Sequence, residues 1–541
     1  MDDDGRVEWR EWGEGAFVEA TERELPILLS LTATWCEPCR EMDRETYAVP
    51  AIAAHVHDGF VPVRADVDRH PRVRDRYATG GFPSTVFLTP DGRTLAGAGY
   101  LGPDAMRGVL DRIREVWAES GADAGRIPQA IRDDEPPAGT LTPAIEAAMA
   151  TRLQENHDEV AGGWGTAPKF PLPDAIEFAL DRDRGMAQRS LEAVAANLFD
   201  EHEGGFFRFA TEADWSGVHH EKLLDSNAAL VRAFANAYCY TGESRYREIA
   251  GRTIGYLTTT LWNAEAGAFA ASQAPGEIGS YTLSASDRES AAEPPVDRSV
   301  YAGPNGLAVE ALATYAAYTD DERARRYAER ALSFVHEELL DDGVVSHSPE
   351  GGDEAPLLRT QARVLRGSLA ARSLLGIGDL EGACAIADAT LDRLRDGESF
   401  VDGPPGPGLL DRPLRPIDAN ATLADGLLDL AILADEPRYR EAARGCLEAF
   451  AGASDRFGPQ VARYASVVAR LLEGPLVVRV ADPAGSTLHR GAVRVADHGK
   501  IVVPDDDGLP AGTARVERGG AVSELAESPA ELTDRVGAIL E

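Results

Sequence analysis

Pro26–Cys39 reads PILLSLTATWCEPC. Its first nine residues are an apolar run short enough for a buried strand. Two cysteines follow at once, with Pro38 where the first turn of a helix accepts proline. A Cys-x-x-Cys at a strand-to-helix junction sets its first sulfur against unpaired backbone N–H groups and the positive end of the helix dipole, which stabilise a thiolate. Cys36 is therefore the expected nucleophile. The spacing puts Cys39 on the same helical face, where it can attack a mixed disulfide on Cys36 and release the substrate sulfur. Glu37 adds a negative charge that opposes thiolate formation. A structural zinc half-site is the competing reading, but it needs two further ligands and the chain has no second Cys-x-x-Cys. A thioredoxin-type fold kept only for binding would have no use for both sulfurs. No metal and no cofactor is expected.

Outward from this stretch, residues 16–24 read as a helix, 40–47 as a helix continuing from the cysteines, and 60–67 (FVPVRADV) as a second strand. Residues 85–88 and 94–99 suggest a hairpin across Pro90-Asp91-Gly92, and 104–119 a closing helix. The order βαβ then ββα predicts an α/β domain over residues 1–120. A Gly, Asp and Pro-rich stretch predicts a linker over 121–140. From 141 to 473 the period becomes helical, with about twelve helices between Gly, Pro and Asp clusters. Glu243–Ala250 (ESRYREIA) resembles Glu436–Ala443 (EPRYREAA), and Asp321–Ala328 echoes both. Twelve helices in six hairpins predict an all-α (α/α)6 toroid, with an open solenoid as the alternative. Residues 474–541 alternate short β runs with a last helix, a small α/β segment.

The 541 residues carry a formal charge of −36 with 44% hydrophobic residues, so the chain folds and its surface is acidic. Arg supplies nearly all of the 54 basic residues, Lys only positions 169, 222 and 500. That pattern points to adaptation to high salt, where screening relieves self-repulsion. Nucleic acid and membrane are not expected partners: no run of 18 apolar residues exists, and the N-terminus is acidic without an apolar leader. The expectation is a soluble, cytoplasmic protein. Cys239, Cys384 and Cys446 sit singly in helix-like patterns and read as packing residues.

Trp35 before the pair and Gly81-Phe82-Pro83-Ser84-Thr85 resemble thioredoxin, which implies a cis-proline at Pro83 facing the disulfide. Ser30 stands where the resemblance implies a buried Asp, so proton removal from Cys39 needs another base or water. Across nearly the whole chain the sequence resembles the family that fuses a thioredoxin-like domain to a six-hairpin, glycosidase-like toroid: the spermatogenesis-associated thioredoxin-like proteins and bacterial YyaL-like relatives of unknown function. The resemblance rests on Trp9, Trp12, Phe17, Pro26, Met42, Glu45, Tyr47 and Phe82–Gly92 at the front. In the toroid it rests on Gly162–Pro171 (GGWGTAPKFP), Trp215–Ala228 (WSGVHHEKLLDSNA), Asn305-Gly306-Leu307 and Pro416–Asn420. Departures from the pattern include Glu37-Pro38 between the cysteines, Pro304 for a Trp, Ser226 for an Asp, and Glu517 and Val522 for two Cys.

Such toroids resemble glycoside hydrolases and sugar epimerases, whose sites use carboxylates or His at one end of the ring. His219, His220 and Glu221, just before a helix start, are the leading toroid candidates as acid, base or ligand contacts. Lys169, Asp214, Asn305, Asp418 and Asn420 are the others, each also readable as a cap or turn former. Three functions are expected, in this order: a thiol-disulfide oxidoreductase acting through Cys36 and Cys39 on a protein partner, a carbohydrate-active toroid with an accessory redox domain, and a non-catalytic scaffold.

Overall fold

The apolar run at the head of the Cys pair becomes the middle of a five-stranded sheet. Its strands are β1 (Arg10–Glu11), β2 (Ile27–Thr32), β3 (Val61–Asp66), β4 (Ser84–Leu88) and β5 (Thr94–Ala98), in the order β1-β3-β2-β4-β5. Strand β2 runs parallel to β3 and antiparallel to β4. Both its faces are covered, which is why it reads as a continuous apolar run instead of alternating. Five helices accompany the sheet: α1 (Glu14–Arg23), α2 (Glu37–Met42), α3 (Pro50–Gly59), α4 (Pro71–Tyr77) and α5 (Pro103–Ser120). Leu28 and Phe87 of the sheet share one core with Met42, Tyr47, Ile52, Val56, Met106 and Leu110, so α2, α3 and α5 cover one face. The helix expected over 40–47 is α2 followed by a π-helical turn, Asp43–Tyr47. Helices α3 and α4 were not anticipated: at ten and seven residues they are too short to display a clear helical period.

The computed structural model describes residues 7–131, 135–277, 279–350 and 356–540. They form two compact units, one of the chain up to Glu135 together with Asp402–Leu414, the other of Pro136–Val401 and Arg415–Glu541. Of the expected linker over 121–140, residues 132–134 lie outside the described residues. Its earlier part belongs to the first unit: Arg126 exchanges both backbone hydrogen bonds with Thr94 beside the sheet. Asp402–Leu414, read from sequence as part of the toroid over 141–473, also belongs to the first unit. Its anchor is ionic. Asp402 accepts from Arg72 Nε at 2.9 Å and Arg76 Nη1 at 2.6 Å on α4, and Tyr77 Oη accepts from Leu409 N at 2.8 Å. A Cβ on Gly92, whose φ is 82°, would lie 2.3 Å from Gly408 Cα, so only glycine permits the approach of the two loops.

In the second unit the described residues form helices α6 (Ala144–Asn156), α7 (Pro173–Arg182), α8 (Arg184–Leu198), α9 (Leu224–Thr241) and α10 (Ser244–Thr259), then a single turn α11 (Ala285–Arg288). Next in the chain come α12 (Ala302–Thr319), α13 (Glu322–Phe334), α14 (Leu358–Ala370), α15 (Leu380–Arg393), α16 (Ile417–Leu433), α17 (Pro437–Glu448) and α18 (Ala462–Glu473). Helices α7, α9, α12, α14, α16 and α18 each pack on the next, and α18 packs on α7, which closes an inner ring. Helices α6, α8, α10, α13, α15 and α17 each pack on the inner helix that is its hairpin partner or its neighbour. This is an (α/α)6 toroid. Inner helix α12 buries 16 residues, nearly all of them apolar, as suits a helix enclosed by its neighbours, whereas outer α13 carries a polar face. The C-terminal segment pairs Val477–Val480 parallel to Ile501–Val503 and antiparallel to Ala514–Arg518, with helices α19 (Thr487–Val493) and α20 (Pro529–Leu540). Among the described residues no helix is long and apolar enough to cross a membrane.

Candidate active site

Cys36 is the N-cap residue of α2, and its Sγ accepts a hydrogen bond from Cys39 N at 3.1 Å. The chain leaves the sheet in extended conformation at Cys36, so the first free amides of the helix point at that sulfur. Cys36 and Cys39 are joined as a disulfide, and both are buried. Trp35 donates from Nε1 to Asp68 Oδ2 at 2.7 Å and meets Phe82 edge to face at 5.7 Å. Phe82–Pro83 is a cis peptide bond, with Pro83 buried at the entrance to β4. Pro38 lies in the first turn of α2 and is exposed.

Glu37 behaves differently from its reading as a charge opposing the thiolate. Its carboxylate accepts from Arg40 Nε at 2.9 Å, from Arg40 Nη2, and from Arg44 Nη2 at 3.0 Å. Partial burial works to raise its pKa, but the two guanidiniums prevail and hold it below the usual range. Glu37 is thus compensated on the spot, and Arg40, also fixed by Thr34 O at 2.6 Å, leaves the first turn of α2 with no net negative charge.

The toroid candidates separate. In the extended stretch 218–223 successive side chains alternate. His219 and Glu221 share one side: Glu221 Oε1 stands 3.2 Å from Arg208 Nη1 and 3.5 Å from His219 Nδ1. Burial works to raise Glu221, and His219 and Arg208 more than offset it, so the pKa is lowered and the carboxylate is ionised near neutrality. The His219 ring stacks on Phe209 at 4.2 Å, and Phe209 stacks on Phe170 at 4.7 Å. His220 turns to the other side with Lys222. It stacks on Tyr281 at 4.1 Å and burial lowers its pKa, while Lys222 Nζ reaches Asp200 at 2.7 Å and Arg288 of α11 holds Asp200 bidentately. The three residues are therefore not one cluster.

Lys169 is fully buried, its Nζ on Asp158 Oδ2 at 2.8 Å and Gly162 O at 3.1 Å, which pins the Gly-Gly-Trp loop. Asp214 bonds the amide and hydroxyl of Ser216 in an exposed turn. Asp418 pairs with Arg359 at 2.9 Å on the surface. Asn305 and Asn420 are backbone clamps. Asn305 accepts from Phe269 N at 2.9 Å and donates to Phe269 O at 3.0 Å; Asn420 does the same to Phe400, with both contacts at 2.9 Å. Asn227 grips Phe206 and Gln361 grips Val345 in the same manner. Four inner helices thus each hold the loop ahead of them by a side-chain amide that mimics a strand partner. That repeat is hidden in the sequence because the gap from Phe to Asn varies with loop length.

The ring lumen is equally hidden in the sequence. Arg232 joins Glu177 at 2.7 Å to Glu310 at 2.8 Å, and Arg366 joins Glu310 at 2.7 Å to Asp429 at 2.5 Å. Arg470 binds Asp425 at 2.7 Å and also Asp429, and Arg463 binds Asp174 at 2.7 Å. All six inner helices contribute. Burial would raise Glu310, yet Arg232 and Arg366 hold it at about 2. About 170 Å³ of cavity remains among these groups. Single charges inside otherwise apolar helices, such as Glu310 in α12, were the available signal.

Residues 2–132 match the family profile Thioredox_DsbH, described as a protein of unknown function, DUF255. Human spermatogenesis-associated protein 20 is 29% identical over 305 residues, 50% of this chain and 39% of that protein. The chain thus spans about two fifths of the length of these curated relatives. Thioredoxin-1 of Drosophila melanogaster is 34% identical over 82 residues, 15% of this chain and 73% of that protein. Among solved structures, D-mannose isomerase covers 60% of this chain and 96% of its own at 12% identity and TM-score 0.47. Cellobiose 2-epimerase from Spirochaeta thermophila covers 57% and 85% at 19% identity and TM-score 0.44. With its Cys pair at the head of α2 and a closed ring of helices behind it in sequence, the chain belongs to the thioredoxin family through its N-terminal unit and carries a six-hairpin helical toroid.

Proposed function

We propose that the protein is a thiol-disulfide oxidoreductase that exchanges electrons with a protein partner through Cys36 and Cys39. The observation that carries this reading is the Cys39 amide on Cys36 Sγ at 3.1 Å, at a helix start whose one acidic side chain is neutralised by Arg40 and Arg44. In the dithiol form the Cys36 thiolate attacks a substrate disulfide. One substrate sulfur leaves and takes a proton, and a Cys36–substrate disulfide remains. Cys39, as thiolate, then attacks Cys36 Sγ, closes the internal disulfide and expels the second substrate sulfur. Two electrons pass from the protein dithiol to the substrate disulfide, and the reverse sequence oxidises a substrate dithiol. Reduction of insulin by a chemical dithiol, with and without catalytic amounts of the protein, tests this. Wild type accelerates it and Cys36→Ser does not; equal rates for the two would end the proposal.

A second reading assigns the toroid a carbohydrate ligand. It is favoured by Glu221 and His219 lying beside the Phe209–Phe170 stack, where a carboxylate and an aromatic face together suit a polyhydroxylated ring. A panel of mono- and disaccharides scored by thermal shift and isomer production tests it, and silence across the panel removes it. Cytoplasmic residence and tolerance of high salt accompany both readings, the first scored by fractionation of the native cell and the second by activity against salt concentration.

A further inference from the structure

All but three of the 54 basic residues are Arg, and the three lysines serve differently. Lys169 and Lys222 are fully buried on carboxylates. Lys500 alone forms no ion pair among the described residues, and it lines the lumen cavity of about 170 Å³. That cavity runs from the ionic network to the C-terminal ends of the inner helices, where Arg182 closes α7, Leu433 closes α16 and Glu473 closes α18. His219 and Glu221 precede the start of α9 and belong to the opposite end of the ring. A turn pinned on three sides presents Lys500. Gly499 O accepts from Arg470 Nε at 2.7 Å, His498 N donates to Tyr240 Oη at 3.2 Å, and the Asp497 carboxylate accepts from Gly499 N at 2.8 Å.

Lys500 Nζ donates to the Asp497 carbonyl oxygen at 3.0 Å and stands 3.5 Å from Tyr318 Oη. The Tyr318 proton is committed elsewhere. Glu177 accepts from Asn236 Nδ2 at 2.8 Å, which leaves Asn236 Oδ1 to accept from Tyr318 Oη at 3.1 Å. Tyr318 therefore offers Lys500 a lone pair. Two acceptors match the two N–H groups of a neutral amine and leave its own lone pair to the cavity, whereas an ammonium has a third N–H without a protein acceptor. Burial also lowers the Lys500 pKa, against the smaller opposing pull of Cys239 and Asp497. A guanidinium could not take this place, because it stays charged and is no nucleophile. We propose that Lys500 is the nucleophile of a second site, where its amine captures a small oxygen-bearing carbonyl compound as an imine. The nitrogen lone pair attacks the carbonyl carbon, and the carbonyl oxygen leaves as water with the two amine hydrogens. No oxidant or reductant is needed, and water reverses the capture. Arg366 lines the same cavity with its Nε buried and without a hydrogen-bond partner, a donor for a hydroxyl or carboxylate oxygen of the ligand. A water takes roughly 10–15 Å³ of such a cavity, so a ligand of about ten non-hydrogen atoms fits.

The test is reductive trapping of the full chain with cyanoborohydride and, in turn, glycolaldehyde, dihydroxyacetone and pyruvate, read by intact mass and peptide mapping. So few lysines make the map simple to read. With at least one probe, Lys500 is expected to gain the reduced adduct about tenfold or more faster than the N-terminal amine, at a rate that saturates with probe concentration. Lys500→Met is expected to lose this adduct and Tyr318→Phe to form it severalfold more slowly. Cys36→Ser is expected to keep it, which separates this site from the Cys pair. Adducts confined to the N-terminal amine with all three probes would overturn the proposal. So would labelling of Lys500 that rises linearly with probe and never saturates, the mark of an accessible amine without a binding site. Both outcomes are read on wild type, so they hold even where Lys500→Met fails to fold.

Discussion

Asp402→Asn is expected to unfold the first unit early. The Asp402 side chain is 7% exposed and faces the guanidiniums of Arg72 and Arg76, themselves 4% and 0% exposed. It takes three hydrogen bonds from them, at 2.9, 2.6 and 3.1 Å, and a fourth from Leu414 N at 3.0 Å. Asparagine keeps the shape and the bond to Leu414 N but removes the charge, which leaves two buried cations without a counter-ion. Removing one partner from a buried ion pair costs about 3–5 kcal/mol, because the remaining charge stays desolvated. At ~2–4 °C per kcal/mol for a unit of this size, the melting temperature falls on the order of 10 °C. Differential scanning calorimetry measures it, and protease cleavage within Asp402–Leu414 should appear at temperatures where wild type resists. Arg72→Met and Arg76→Met combined with Asp402→Leu should recover much of the loss, since apolar replacement of a whole buried ionic group is often neutral. A calorimetric loss under about 1 kcal/mol in Asp402→Asn, well short of the cost of a stranded buried charge, would refute the reasoning.

Cys39→Ser should accumulate a stable Cys36-linked mixed disulfide with a peptide disulfide, seen as a mass adduct on non-reducing analysis; failure to trap any adduct argues against Cys36 as the attacking sulfur. Arg40→Gln should disfavour the Cys36 thiolate, since a neighbouring cation is lost, measured by ultraviolet thiolate absorbance, with no change counting against its role. Asn305→Ala and Asn420→Ala should each cost about 1–3 kcal/mol in urea unfolding of the second unit, because a buried Phe amide loses its acceptor. A catalytic role would instead lower activity at unchanged stability. Glu310 has its folded pKa depressed to about 2, so its ion-pair contribution is present above the unfolded carboxylate value and lost as pH falls through roughly 4.5 toward 2. Glu310→Gln should flatten that part of the stability profile, and an unchanged slope would dismiss the assignment.

Much of the first unit is legible from Pro26–Cys39 because strand length, cysteine spacing and helix-start chemistry are local properties. The twelve long toroid helices are legible for the same reason, their period being set by the face each one buries. Residues whose meaning comes from partners far along the chain are not legible in this way. Glu37 looks like a lone negative charge until Arg44, seven residues on, folds back over it. His219, His220 and Glu221 look like one cluster until the extended backbone sends His220 to the opposite side. Asn305 and Asn420 look like candidate ligands until Phe269 and Phe400, 36 and 20 residues away, are found in their grip.

By itself, then, the sequence determined the Cys pair at a strand-to-helix junction, the α/β unit around it and the helical character of the long segment C-terminal to that unit, all consequences of local periodicity and turn chemistry. Tertiary structure alone decided that Asp402–Leu414 returns to the first unit, that the ring lumen is crossed by ion pairs, and that four inner helices clamp the loops ahead of them by side-chain amides. The physical reason is that a charge or hydroxyl acquires its role from the dielectric and the partners around it, and those are supplied by residues that only folding brings within hydrogen-bond distance.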